Sequence, residues 1–238
     1  MRLSTLLSFF CLVLANPLRG DAPAPQPLCY FIPPQGWEIA KLLKPSPFIQ
    51  VGFIGKATAS FRPSINLAFE EVDVNLKDYV KAVKEIHLAE PGTQCRDLGK
   101  FPMQAGEGRL LEITSTSSHG EMKQFQALFV KDNTAYILTA AVLKEALPKI
   151  QMELIQSLKS LQLVPDLLSP LSDSQKKAFN ELFAKEIENL RELPGEKRAK
   201  SLSRLEKILA EQFSDLGPHW RFLALNQMHA KLFPAETR

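Results

Sequence analysis

Four histidines, a short acidic run and two separated cysteines are the residues of this chain whose types could carry proton, metal or thiol chemistry. His87, His119, His219 and His229 are dispersed, and no two stand at the spacing of paired metal ligands. His219 and His229 fall ten apart on one predicted helix, a poor angle for sharing an ion. Ser117-Ser118-His119 brings a hydroxyl beside an imidazole, but polar residues at a hairpin tip are ordinarily solvated turn residues, and no G-x-S-x-G elbow occurs. Glu70, Glu71 and Asp73 could hold Ca²⁺ or act as an acid/base pair; without the fixed positions of a calcium loop they read instead as a solvated strand end. The 11 glycines are scattered, so no phosphate-cradling loop is present and nucleotide chemistry is disfavoured. The expectation is a chain with no catalytic, cofactor-binding or metal-binding residues, one that works by association.

The address of that work is written at the start. Met1 and Arg2 precede Leu3 to Ala15 (LSTLLSFFCLVLA), an uncharged apolar run of signal-peptide length. Val13 and Ala15 supply the small residues a signal peptidase needs, so cleavage is expected after Ala15; an uncleaved N-terminal anchor is the alternative. Cys11 sits inside the run behind Phe10, which argues against lipidation. An exported chain, periplasmic or secreted, meets oxidising conditions, and there Cys29 and Cys95 are either a disulfide or two buried thiols. Bonding them would close a loop of about 66 residues and restrict the unfolded chain by about 4 kcal/mol.

Hydrophobic content of 45% and charged content of 23% are ordinary globular values, enough for a core. The net charge is only +3, with both signs interspersed, so a nucleic-acid partner is not expected. No transmembrane span is expected after signal cleavage.

The elements follow from period and punctuation. Residues 16–34 hold six prolines and read as an extended, poorly packed leader. Phe48 to Phe53 and Ser64 to Phe69 are strand-like, and Asn75 caps a helix with Leu76, Tyr79, Val80, Val83 and Ile86 at helical spacing. Cys95 to Phe101, Gly108 to Thr116, Met122 to Val130 and Thr134 to Ala141 alternate as strands, the last three forming an antiparallel meander. Leu147, Ile150, Leu154, Leu158 and Leu161 return to helical spacing, with Pro148 in the first turn.

This order, with the early Gly36-Trp37, Tyr79 on its helix, the AYILTAA of Ala135 to Ala141 and the SLKSLQL of Ser157 to Leu163, resembles the PsbP and Mog-type superfamily over residues 28–164. The resemblance implies an α+β fold, an antiparallel sheet between helix layers, with no shared active site and a common theme of binding to larger assemblies. Residues 35–164 would form that domain and 165–171 a linker. Residues 172–238, which depart from the family pattern, read as a helical hairpin or three-helix module. Ser172 and Gln175 make a capping box for its first helix; Pro194-Gly195 and Gly217-Pro218 separate the rest. Its apolar stripes either pack on one another or, through Phe179, Phe183 and Trp220, contact a partner. The function expected is that of an exported, non-catalytic binding or assembly-support protein of the bacterial envelope, with an unidentified envelope or secreted protein as partner. Two alternatives stay open: a hydrolase whose site is assembled from residues distant in sequence, and a secreted effector.

Overall fold

The computed structural model describes residues 27–40, 48–57, 61–191, 193 and 195–232. The signal segment 1–15, its cleavage point and the leader as far as residue 26 lie outside the described residues, as does Pro194.

Seven strands form one antiparallel sheet: β2 Glu38–Ile39, β3 Ile49–Ile54, β4 Ser64–Glu71, β5 Gln94–Met103, β6 Gly106–Ser117, β7 Gly120–Lys131 and β8 Thr134–Leu143. Their order is β2-β3-β4-β8-β7-β6-β5. β8 takes the centre because every one of its residues is apolar or Thr and every one is buried, as a strand covered on both faces requires. The β7–β8 hairpin closes on Asp132 and Asn133, both left-handed (φ 49° and 57°), the two-residue turn whose twist matches its strands.

Each face carries a helix. α1, Leu76–Ala89, starts where Asn75 Oδ1 accepts from the Asp78 N–H at 3.1 Å. It lays Tyr79 and Val80 against Leu111, Ile113, Leu128 and Ile137. α2, Leu147–Lys159, with Pro148 in its first turn, packs Leu154 and Leu158 on the opposite face against Phe53, Leu67, Ala127 and Leu138. Truncating any one of these buried leucines to alanine costs about 2–5 kcal/mol.

The proline-rich segment behaves differently from the expectation. β1, Leu28–Tyr30, pairs with β9, Gln162–Val164, in a two-stranded antiparallel ribbon, and Cys29, Tyr30 and Phe31 are buried. Proline excludes helices and central strands, but a short ribbon that ends before Pro33 escapes both restrictions. Beyond the ribbon, α2 serves the backbone of Ile32: its N–H donates to Ser160 Oγ and its carbonyl accepts from Ser157 Oγ, each at 2.7 Å.

The tail is three helices: α3 Asp173–Arg191, α4 Gly195–Gln212 and α5 Gly217–Leu232, with a 3-10 turn at Ser214–Leu216 where the second helix was expected to continue. The capping box is formed, with Ser172 N–H donating to Gln175 Oε1 at 3.0 Å and Gln175 N–H to Ser172 Oγ at 3.3 Å. Segment 165–171 is a packed turn as well as a connector: Leu167 and Leu171 are buried, and the Leu167 carbonyl accepts from Trp220 Nε1 at 3.0 Å.

α5 has apolar residues on two sides. Trp220, Ala224 and Met228 enter the tail's own core, while Phe222 packs against the core between the sheet and α2. Tyr30, Leu28 and Val164 join the tail core from the ribbon, so the tail is fastened to the sheet through β1, β9 and α5 together.

Candidate functional site

The residues singled out in the sequence fall in separate places. Cys29 lies in the core shared with α2, and Cys95 packs against the core under α1, on the other face of the sheet. Both thiols are free in this structure, Cys29 buried and Cys95 half-buried. Burial pushes both thiols up, Cys29 most strongly. The proposed partner contacts Phe179, Phe183 and Trp220 are turned inward. Phe179 stacks on Phe183 with centroids 5.2 Å apart and meets the edge of Trp220 at 5.5 Å, and Trp220 is 0% exposed. Their stripes pack on one another, because three short helices have no other way to bury rings of this size.

The acidic run stays dispersed: Glu70 accepts from the Tyr79 hydroxyl at 2.6 Å, while Glu71 and Asp73 are exposed. Ser117 Oγ is engaged within its own turn, donating to the Gly120 carbonyl at 3.0 Å and accepting from the His119 N–H at 3.1 Å. Among the described residues no three His, Cys, Asp or Glu side chains converge as metal ligands. Nor is any helix among them long and apolar enough to cross a membrane.

Among the described histidines, His219 is the buried one. It is 1% exposed, at the start of α5, and its Nδ1 accepts from the Phe31 N–H at 3.2 Å. Its ring meets Phe31 edge-on at 4.9 Å, Phe53 at 5.9 Å and Tyr30 at 6.4 Å. Desolvation lowers its pKa to about 3, so at neutral pH it is an uncharged hydrogen-bonding pin between tail and sheet.

A second feature faces solvent. An open groove of about 680 Å³ runs between α1 and the strands β5 and β6. Leu76, Val80 and Leu88 give it an apolar wall, and Lys77, Lys81, Lys84 and Glu85 stand along the same helix. Asp97 and Arg109 rise from the strands opposite. The placement of Asp97 depends on a β-bulge at Leu98: the register jumps from Asp97↔Leu111 to Gly99↔Leu110, reversing the side-chain parity of β5. Cys95 and Asp97 therefore face α1, whereas Phe101 and Met103, farther along the strand, face α2.

Asp97 is held in place by the bulge it belongs to. Its Oδ1 accepts from the Gly99 N–H at 2.9 Å, Gly99 taking the left-handed φ of 99°, and its Oδ2 accepts from Arg109 Nη2. Burial alone would raise its pKa, but these two hydrogen bonds and the charges of Arg109 and Lys84 outweigh that, leaving it below the usual carboxylate range. Lys81 pairs with Glu85 at 4.0 Å. Arg109 Nε is buried and, among the described residues, without a hydrogen-bond partner. The groove thus presents an apolar wall with a surplus of positive charge. Sequence reasoning missed it; the lysines at 77, 81 and 84 were the available signal, since that spacing lines one helix face.

No protein-family model matches the sequence, and no curated protein matches it. Solved structures to which the chain is similar include LpqN of Mycobacterium tuberculosis, described as involved in cell envelope biogenesis: 14% identity, TM-score 0.46, covering 60% of this chain and 87% of that one. Cyanobacterial PsbP from Synechocystis sp. PCC 6803 matches at 10% identity and TM-score 0.42, covering 62% and 98%. The Saccharomyces cerevisiae Ran-binding protein Mog1p matches at 16% identity and TM-score 0.40, covering 57% and 90%. The chain is similar to PsbP- and Mog-type structures over somewhat more than half of its length.

Proposed function

We propose that this protein is an exported, non-catalytic binding or assembly-support protein of the bacterial cell envelope, and that it takes hold of a protein partner through the groove between α1 and the β5–β6 edge. The observation that carries this reading is the groove: an apolar wall with charged residues around it, built on a helix and two long strands rather than on loops. Leu88 at its end is 55% exposed. Apolar surface gathered at a concave, charge-rimmed place is the ordinary make-up of a recognition surface. Export is supported by the apolar run of Leu3 to Ala15. The helical tail, its aromatic rings buried, braces the sheet domain through α5.

The test uses the full chain in its own cells. A photo-crosslinking residue in place of Leu88 is expected to give a discrete protein adduct in the envelope fraction. The same residue in place of Met152, 75% exposed on α2, is the control and is expected to give none. Adducts of equal yield at both positions, or none at position 88, overturn association through the groove. Retention of the chain in the cytoplasmic fraction with Met1 to Ala15 still attached overturns export.

A further inference from the structure

Resting on that association reading, we propose that the occupant of the groove is an acidic amphipathic helix of the partner, its apolar stripe on Leu76 and Leu88 and its carboxylates toward Lys77 and Lys84.

Three observations select this occupant. The first is length: Leu76 to Leu88 spans about 18 Å along α1, three turns of a facing helix and too long for one small ligand. The second is shape. Leu76, Lys84 and Leu88 follow one another along the groove side of α1, with Val80 buried beneath them, so the groove runs along the helix axis as a facing helix requires. An extended strand adding to β5 is disfavoured, because Leu98 and Gly99 break the ladder in the middle of that edge and Pro102 offers no N–H. The third is charge. The lining carries Lys77, Lys81, Lys84 and Arg109 against Glu85 and Asp97. Both acids are already engaged, Glu85 by Lys81 and Asp97 by Arg109. Lys77 and Lys84 supply the positive surplus.

The measurement is fluorescence anisotropy of the full mature chain with three labelled synthetic peptides of about four turns. One is a helix with leucines at i, i+3/i+4 and i+7 flanked by glutamates, the second replaces each glutamate with lysine, and the third scrambles the acidic sequence to destroy the stripe. The acidic helix is expected to bind at least tenfold more tightly than either control, to weaken with added salt, and to lose at least tenfold in affinity for K77E/K84E. Lys77 is exposed and Lys84 half-buried, and thermal melting checks that the variant keeps the fold. Equal affinity for the three peptides, no binding of the acidic helix, or an unchanged affinity of a folded K77E/K84E overturns the acidic-helix occupant. A protein adduct at position 88 alongside such a result leaves the association reading standing, whereas absence of both removes the two together.

Discussion

Acidification tests the pin between tail and sheet. His219 has a folded-state pKa of about 3 because desolvation penalises its charged form, against about 6.5 when the chain is unfolded. A base with a depressed folded pKa contributes stability that is fully present above the unfolded value and is lost as pH falls between the two. Linkage over that interval gives a loss of about 1 kcal/mol near pH 5.5 and about 3 kcal/mol near pH 4.5, relative to neutrality. The physical event is protonation of Nδ1, which removes the acceptor of the Phe31 N–H and sets a charge among Tyr30, Phe31 and Phe53. His219→Asn keeps an acceptor near the Nδ1 position and does not titrate; its smaller volume costs a cavity term that is the same at every pH. Urea denaturation of both proteins, followed by far-UV circular dichroism at the three pH values, isolates the effect as the wild-type minus variant difference. That difference is expected to shrink by the amounts above as pH falls. A difference that stays flat with pH would falsify the assignment of His219 as a buried neutral acceptor.

Three further outcomes are expected. Gly108→Ala places a Cβ 2.3 Å from the Leu128 carbonyl oxygen and 2.5 Å from Met103 Cε, and calorimetry should show a loss of about 2–3 kcal/mol; a variant as stable as the parent contradicts the strand approach described. Trp220→Ala empties the centre of the tail core and should cost about 3–5 kcal/mol in urea melts, a loss below about 1 kcal/mol being incompatible with its burial. In the native chain, iodoacetamide should reach Cys95 well before Cys29, and reduction should leave the mass of the protein unchanged; a mass gain on reduction would mean a disulfide.

What was legible in the sequence is what is local. The meander could be read because β8 is a long apolar run and β7 ends in one, Ala127 to Val130, the two separated by Asp132-Asn133, and α1 because Asn75 stands before a one-faced apolar pattern. The α+β architecture and the three tail helices followed from the same signals. The ribbon was not legible, since Leu28 finds Val164 only after the whole sheet has been built between them, and its six-proline neighbourhood argues locally against packing. The tail's attachment was hidden in α5, whose apolar residues point two ways and leave little periodicity to read. The groove was hidden for another reason: Asp97 shares the α1 side with Arg109 of β6 only because one extra residue at Leu98 shifts the parity of β5. The same parity turns Cys95 toward α1, away from Cys29.

The β1–β9 ribbon also fixes an order of events during folding. A chain made or threaded from its N-terminus presents Leu28–Tyr30 long before Gln162–Val164 exists to receive it. Closing a loop of that length costs on the order of 4 kcal/mol of chain entropy, more than six paired residues return unaided, so the ribbon can zip only after the sheet has brought its ends together. Tyr30, Phe31 and the empty side of α5 stay uncovered until then. The slowest and most aggregation-exposed stage should be this last closure, when the first strand is still waiting for the ninth.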